Sequence, residues 1–263
     1  MSKMRLDVFL ADIGMAESRS AAQRMVMAGS VRINGQVALK PAVSVAESDV
    51  VTVDQPPLFV SRGGEKLLGA LQAFDRENLK GAICVDVGAS TGGFTDCLLQ
   101  HGAVKVYAID VGYGILHWKL RQDPRIVVME KTNARYIEGF PEKIDLVTID
   151  ASFISLRTIL PVVKSWLVES DSEIIALIKP QFEAGRRDAA RGEGVIRDPV
   201  IHKRILTEMI EFAENASLHV MGLIRSPLTG PKGNVEFLIH LSNQPVVKSE
   251  KDRLIDLFPE VES

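Results

Sequence analysis

The pattern of hydrophobic and polar positions changes along the chain at Pro56-Pro57. Before these prolines, apolar residues recur at helical spacing in two stretches, Arg5 to Ile13 and Ser20 to Met27. An Asn34-Gly35 turn then predicts a tight hairpin, and Val50 to Val53 predicts one more strand. We therefore expect a small α+β domain ahead of the prolines.

Beyond the prolines, short apolar runs rich in branched residues alternate with helical stretches. The runs are Ile83 to Val87, Val104 to Ile109, Ile126 to Met129, Leu146 to Ile149 and Ile174 to Ile178. The helical stretches are Phe94 to Gln100, Leu156 to Leu167 and Ile201 to Ala213. This alternation predicts an α/β domain with a mostly parallel sheet between helices. Two late runs, Leu218 to Ile224 and Val235 to Leu241, have no helix between them and predict an antiparallel hairpin at the edge.

The composition is that of an ordinary globular protein, because 46% of the 263 residues are hydrophobic and 25% are charged. No apolar stretch approaches the roughly 20 residues of a membrane-spanning helix. Asp7 and Asp12 stand where a signal peptide carries an apolar core. We therefore expect a cytoplasmic protein that does not enter a membrane. Cys84 and Cys97 lack histidine partners at metal-ligand spacing, so we expect core thiols and no metal site.

Charged residues at the ends of apolar segments indicate a functional site. Lys179 follows one apolar run and Asp150 follows another, while Lys66 and Glu236 end segments of comparable appearance. A strand that ends in a charged residue usually delivers that side chain to a ligand at the edge of the sheet. The sequence therefore predicts one cluster of two lysines and two carboxylates at strand ends.

The first strand of the α/β part runs into a glycine-rich turn, which is the expected ligand-binding loop. Its candidate contacts are Asp86, Gly88, Ser90, Gly92, Gly93 and Phe94. The turn lacks the lysine of a phosphate loop and the G-x-G-x-x-G spacing. Asp86 suits a ligand with an ammonium group, Asp110 can accept hydrogen bonds from ribose hydroxyls, and Asn133 can face an adenine edge. These residues favour S-adenosylmethionine over a dinucleotide, which remains the alternative.

Basic residues supply candidate contacts to nucleic acid, although the net charge of −3 makes any such contact a matter of local patches. Those of the N-terminal domain are Arg5, Arg19, Arg24, Arg32 and Lys40. They form either a phosphate-binding face or a solvated helix face. Arg186 and Arg187 lie in a loop that suits a mobile flap over RNA or a merely solvated segment. Lys232, near Glu236, is a further candidate phosphate contact. Arg135 and Trp118 are assigned no function and are expected to pack in the core or at the surface.

Five motifs in order along the chain connect it to a known family. They are Val60 to Leu67, Asp86 to Asp96, Asp150 to Leu156, Lys179 to Glu183 and Lys232 to Glu236. The C-terminal two thirds resemble the FtsJ-type 2′-O-methyltransferases. The whole chain is similar to the TlyA (haemolysin A) family of rRNA methyltransferases.

This resemblance implies a domain plan. Residues 1–55 would form an RNA-binding domain of the ribosomal protein S-four type, and residues 56–61 a linker. An FtsJ-like domain would follow at 62–245, with a Rossmann-like class I methyltransferase fold whose seven-stranded, mostly parallel sheet has an antiparallel edge. Residues 246–263 would be a C-terminal tail.

The resemblance also implies a catalytic tetrad of Lys66, Asp150, Lys179 and Glu236, with Asp150 also near the methionine end of S-adenosylmethionine. Arg62, within the first motif, becomes a candidate RNA contact. The implied reaction is methylation of a ribose 2′-hydroxyl, in cytidine, within the rRNA of ribosomal subunits. Because S-adenosylmethionine already carries an activated methyl group, we expect no metal, and we expect a monomer. The alternatives are a haemolysin-like membrane-active protein, a non-catalytic RNA-binding protein that retains the cofactor pocket, and a small-molecule methyltransferase.

Overall fold

The computed structural model describes residues 3–54, 57–167, 171–185, 194–244 and Leu257. The chain forms two compact units, Met1–Pro57 and Leu58–Ser263. Each unit has a hydrophobic core of its own.

The described part of the first unit, residues 3–54 and Pro57, contains two helices and five short strands. The helices are α1 (Leu6–Asp12) and α2 (Arg19–Met27), and the strands are β1 (Met4–Arg5), β2 (Val31–Ile33), β3 (Gln36–Val37), β4 (Ser44–Val45) and β5 (Val51–Val53). Strands pair antiparallel as β1 with β4 and in the order β3-β2-β5. Ser18 begins α2, since its side chain accepts a hydrogen bond from the Ala21 amide at 3.2 Å. Leu6, Leu10 and Val26 are fully buried between the helices and strands.

The second unit is a layered α/β structure. Its strands are β6 (Ile83–Val87), β7 (Lys105–Ile109), β8 (Ile126–Met129), β9 (Leu146–Ile149), β10 (Glu173–Ile178), β11 (His219–Arg225) and β12 (Phe237–Ser242). Its helices are α3 (Gly63–Ala73), α4 (Gly93–Gln100), α5 (Trp118–Arg121), α6 (Leu156–Trp166), α7 (Pro180–Glu183) and α8 (Pro199–Asn215). A short 3-10 turn occupies Ala134–Tyr136.

The seven strands form one sheet in the order β11-β12-β10-β9-β6-β7-β8. Strands β6 to β10 run parallel, and β12 runs antiparallel to both β10 and β11. The predicted fold class, a mostly parallel seven-stranded sheet with an antiparallel edge, is confirmed. The late hairpin folds back so that β12 inserts beside β10 and leaves β11 at the edge. The strand order reverses at β6, which lies between β7 and β9, so ligands are expected at the carboxyl end of this strand.

Apolar side chains cover both faces of the sheet. One cluster joins alternate strand residues such as Val147 and Ala176 to α6 and α8, and the other joins residues such as Cys84 and Ile175 to α3 and α4. Both cysteines are buried and unpaired, and burial raises their thiol pKa values. Within the described residues, no helix is both long enough and apolar enough to cross a membrane.

Candidate active site

Two of the four predicted tetrad residues follow neighbouring parallel strands. Asp150 comes directly after β9 and Lys179 directly after β10. The Lys179 Nζ lies 2.6 Å from Asp150 Oδ1 and donates a hydrogen bond to Ser152 Oγ at 2.9 Å. The lysine side chain is only 9% exposed, so these two contacts hold its ammonium group in one place.

The other two tetrad residues reach the same edge by different routes. Lys66 lies in the first turn of helix α3, and Glu236 directly precedes β12. The expectation that all four residues end strands is therefore wrong for this pair. Since β12 runs antiparallel to its neighbours, its beginning lies where β9 and β10 end. The Lys66 Nζ lies 2.5 Å from Glu236 Oε2, and both side chains are buried.

All four charged residues line one cavity of about 360 Å³. Its wall also includes Arg62, which is exposed, and parts of the glycine-rich turn. The cavity thus presents two lysine–carboxylate pairs to whatever enters it. Such a set can orient and deprotonate a weak nucleophile without a metal. In the part of the chain that the structure describes, no cluster of histidine, cysteine and acidic side chains is suited to hold a metal ion.

Glycines in the turn after β6 permit close backbone approaches. Gly88 has a φ of +85°, and a Cβ there would lie 2.6 Å from the Asp150 carbonyl oxygen. A Cβ at Gly93 would lie 2.3 Å from Ser61 Oγ and 2.8 Å from the Gly64 nitrogen. Gly92 lines neither described cavity beside the turn, since it packs against Leu120 instead. The surrounding atoms therefore leave no space for a side chain at Gly88, Gly92 or Gly93.

A second cavity of about 360 Å³ shares Gly88, Ser90, Asp150 and Ser152 with the first. Its other polar walls are Asp110, Thr132, Asn133 and Arg135, and its apolar walls include Val111, Ile115 and Ile154. The Asp110 carboxylate accepts hydrogen bonds from the backbone amides of Ser90 at 2.8 Å and Gly112 at 2.7 Å.

This second cavity fits the nucleoside part of S-adenosylmethionine. A fixed carboxylate suits ribose hydroxyls, and an amide beside apolar side chains suits an adenine ring. The Asn133 Oδ1 accepts from the Arg135 amide at 3.1 Å, which fixes the orientation of its side chain. The shared wall at Asp150 would bring the methyl-bearing end of the cofactor beside the two lysines.

Asp86 does not line either cavity, contrary to its predicted contact with the cofactor. Its side chain is fully buried in β6 and accepts hydrogen bonds from Thr95 Oγ1 at 2.6 Å and Thr148 Oγ1 at 3.1 Å. Burial, helped by the nearby charge of Asp150, raises the pKa of this carboxyl to about 7, although the two hydroxyls oppose the shift. Asp86 therefore joins strand β6 to strand β9 and to the first turn of helix α4.

Phe153 is a feature of the site that the sequence interpretation missed. It is 91% exposed, has a φ of +63°, and lies 5.2 Å from the Phe182 ring between centroids. Its loop is held by Glu183, which accepts hydrogen bonds from the Leu156 amide at 2.7 Å and from Ser155 Oγ. An aromatic residue in the same motif as Asp150 was the available signal, because that motif is too polar to be a core segment.

Some of the predicted RNA contacts form ion pairs within the protein, and others are exposed to solvent. Arg5 and Arg19 both bind the buried Asp7 carboxylate, at 2.9 Å and 3.0 Å, and Arg32 pairs with Asp54 at 3.0 Å. The remaining predicted contacts in the described residues are exposed: Arg24, Lys40, Arg62 and Lys232. Arg186 and Arg187 lie outside the residues that the structure describes. Trp118 and Arg135, predicted to serve packing, are exposed.

Comparison with known proteins gives two family matches. The FtsJ-like methyltransferase model matches residues 59–243, and the S4 domain model matches residues 4–51. The "Putative rRNA methyltransferase YqxC" of Bacillus subtilis is 50% identical over 246 residues, which cover 91% of this chain and 85% of that protein.

Two further proteins match most of the chain. The "16S/23S rRNA (cytidine-2'-O)-methyltransferase TlyA" of Mycobacterium tuberculosis is 45% identical over 246 residues, covering 92% of this chain and 91% of that protein. A solved structure, "Putative hemolysin from Streptococcus thermophilus", superposes with a TM-score of 0.72 at 41% identity, covering 98% of this chain and 97% of that one.

Proposed function

The chain belongs to the FtsJ-like methyltransferase family, and from this premise we propose that it transfers the methyl group of S-adenosylmethionine to a ribose 2′-hydroxyl of ribosomal RNA. The observation that carries the proposal is the pair of lysine–carboxylate contacts in a cavity that shares a wall with the nucleoside cavity. The S4 domain match supports an RNA substrate over a small molecule. Relatives with rRNA methyltransferase names favour this activity over a membrane-active or non-catalytic protein.

Lys179 acts on the attacking oxygen in this proposal. When bound, the cofactor supplies an activated methyl group, so the protein must chiefly align the weakly nucleophilic hydroxyl and remove its proton. The Lys179 Nζ, held by Asp150 and Ser152, would hydrogen-bond to the 2′-oxygen and take part in removing its proton. Lys179 in its amine form would accept the proton that the 2′-oxygen loses, and the bound cofactor would supply the methyl group and leave as S-adenosylhomocysteine.

Lys66 and Glu236 complete the site from the other side. Their buried contact places a second ammonium group at the same cavity without adding net charge. We assign this pair the role of orienting the ribose and limiting the repulsion between Lys66 and Lys179. Gly230 leaves room for the pair, since a Cβ there would lie 2.6 Å from Glu236 Oε1.

The target that fits the relatives best is a cytidine of rRNA, because the name of the TlyA protein of M. tuberculosis specifies that nucleoside and that RNA. We propose that this cytidine is methylated within a ribosomal subunit. Such a substrate places the proposed reaction in the cytoplasm. All residues proposed for the site come from one chain, so the proposal requires only a monomer.

The deciding experiment is transfer of labelled methyl groups from S-adenosylmethionine to isolated large and small ribosomal subunits that lack the modification, followed by mapping. Label on one ribose 2′-oxygen is expected, and digestion should release a 2′-O-methylcytidine. Label on a base, or no label on either subunit despite measurable cofactor binding, would refute the proposed reaction.

A further inference from the structure

Exposed aromatic side chains in the described chain are confined to the three connections that follow strands β7, β8 and β9. They are Tyr113, Trp118, Tyr136 and Phe153, between 66% and 91% exposed. Phe153 lines the nucleoside cavity, whereas the other three line neither cavity of the site. We call Tyr113, Trp118 and Tyr136, with Lys131 and Arg135 beside them, the aromatic rim.

Cations accompany two of these three rings. Lys131 Nζ lies 4.4 Å from the centroid of the Tyr113 ring, and Arg135 Cζ lies 5.6 Å from that of Tyr136. Neither cation forms an ion pair with a carboxylate of the described residues, whereas the nearby Glu130 is already neutralised by Arg121. Their charges are therefore available to an anionic partner.

The aromatic rim begins where the cofactor site ends. The Lys131 amide donates to the Gly112 carbonyl at 2.9 Å and the Thr132 amide to the Asp110 carbonyl at 3.0 Å, so the loops after β7 and β8 are tied together. Arg135 belongs to both surfaces, because it also lines the nucleoside cavity. A polymer that enters the site from this side would pass over the three rings.

We propose that the aromatic rim binds unpaired nucleotides of rRNA that flank the target nucleotide. Their bases stack on Tyr113, Trp118 and Tyr136, and their phosphates meet Lys131 and Arg135. Flat rings with neighbouring cations match single-stranded RNA, since every base presents a face for stacking and every linkage a negative charge. The choice of rRNA as the polymer rests on the proposed function, whereas the stacking mode rests on the rim itself.

Binding measurements test the rim without requiring methyl transfer. The triple variant Tyr113→Ser, Trp118→Ser, Tyr136→Ser should bind protein-free rRNA and ribosomal subunits about tenfold or more weakly than the native protein, with S-adenosylhomocysteine affinity unchanged. The matched control is Val104→Ser with Val200→Ser, which removes two exposed apolar side chains of the same unit, 50% and 75% exposed. This control should bind RNA as the native protein does.

Equal RNA affinity of the triple variant and the native protein would overturn the inference. So would weaker binding to intact subunits with normal binding to protein-free rRNA, since the rim would then contact a ribosomal protein. The native protein could transfer no methyl group to rRNA while the triple variant still binds RNA more weakly than the native protein. That result would refute the proposed function and support RNA binding by the aromatic rim.

Trp118 offers a direct probe of stacking. The only other tryptophan, Trp166, is 2% exposed and donates to the Ile137 carbonyl at 3.0 Å. A single-stranded rRNA fragment should quench the Trp118 fluorescence, and the Trp118→Phe variant should lose that quenching while its cofactor binding is retained. Binding of the fragment without any quenching would contradict stacking at this residue.

Discussion

At the scale of single residues, the contacts of Lys179 separate its proposed chemical role from cofactor binding. Its ammonium group touches Asp150 and Ser152 and lines the cavity that holds all four charged residues, whereas it does not line the nucleoside cavity. A substitution at this lysine should therefore affect the reaction and leave the nucleoside contacts in place.

We predict that Lys179→Met lowers kcat by at least about 10²-fold, the usual size of a proton-transfer contribution. Affinity for S-adenosylhomocysteine, measured by calorimetry, should stay within about threefold of the native value. Lys80→Met is the control, because this lysine is exposed in the same unit. Turnover of Lys179→Met close to that of the control would remove Lys179 from the mechanism.

A second residue-scale prediction concerns the buried Asp86. The pKa of its carboxyl is about 7 in the folded chain, against an ordinary 3.8 when unfolded. Between about pH 4 and 7 the unfolded chain releases this proton and the folded chain keeps it. The free energy of unfolding therefore falls as pH rises through this window, by on the order of 4 kcal/mol for full burial.

Asp86→Asn should abolish this contribution. The difference in unfolding free energy between variant and native protein should shift in favour of the variant as pH rises from 4 to 7. Tryptophan fluorescence in urea is a suitable measurement, because Trp118 and Trp166 both lie in the second unit. A difference that stays constant across this range would show that Asp86 is ionised in the folded protein at low pH.

Among the helices and strands, the buried strands could be predicted from the sequence, whereas helix α3 could not. Runs of branched residues such as Ile83 to Val87 coincide with strand β6, because a strand buried on both faces has little room for polar residues. Helix α3 was not predicted, since it begins with Gly63-Gly64. The structure explains the second glycine, because a Cβ at Gly64 would lie 2.3 Å from the Phe59 ring.

The sequence alone also does not show that Lys66 pairs with Glu236. Local patterns mark Lys66 and Glu236 as unusual, but the two are 170 positions apart, and only the antiparallel insertion of β12 brings them within 2.5 Å. Asp86 shows the reverse case. Its position in the motif suggests a ligand contact, whereas its burial is set by Thr95 and Thr148, and Thr148 comes from a different strand.

The turn after β6 allows a prediction with a matched control. Gly88→Ala and Gly81→Ala both place a side chain at a φ near +85°, which costs roughly 1–2 kcal/mol. Only at Gly88 would the new Cβ meet backbone, 2.6 Å from the Asp150 carbonyl oxygen, while Gly81 has nothing within 4 Å. Gly88→Ala should therefore be less stable than Gly81→Ala by about 2 kcal/mol.

The same pair separates stability from function. Gly88→Ala should also weaken S-adenosylhomocysteine binding by at least tenfold, since the turn and Asp150 form the wall shared by the two cavities. Urea unfolding and calorimetric titration of both variants provide the comparison. Equal stability and equal affinity of the two variants would mean that the turn relaxes without disturbing the site.

At the scale of the whole molecule, the two units divide the proposed task between them. Every residue that lines the two cavities of the site belongs to the second unit. The first unit contributes basic residues, and two of its arginines converge on one buried carboxylate. Asp7 is fully buried and accepts from Arg5, Arg19 and Gln23, and these hydrogen bonds hold its pKa well below the ordinary range. Arg5 and Arg19 are therefore held side by side, with their side chains about half exposed.

We predict that Asp7→Asn weakens rRNA binding by about tenfold, although removal of a negative charge should by itself strengthen it. The reason is that Arg5 and Arg19 lose the carboxylate that fixes them, and the preorganised pair of phosphate contacts is lost. Asp12→Asn makes the same change of charge at an exposed position of helix α1 and should bind RNA as well as the native protein or slightly better. Filter binding to rRNA measures the effect.

The same variant should leave cofactor affinity unchanged, because no residue of the first unit lines either cavity. Hydrogen exchange at the amides of Leu6 and Leu10 should become faster in Asp7→Asn, since buried hydrogen bonds to a charged group contribute about 1.5–3 kcal/mol each. If Asp7→Asn and Asp12→Asn bind rRNA equally, Arg5 and Arg19 are not phosphate contacts, and the buried carboxylate only stabilises the first unit. Weaker RNA binding with unchanged cofactor binding would instead assign substrate capture to the first unit and the reaction to the second.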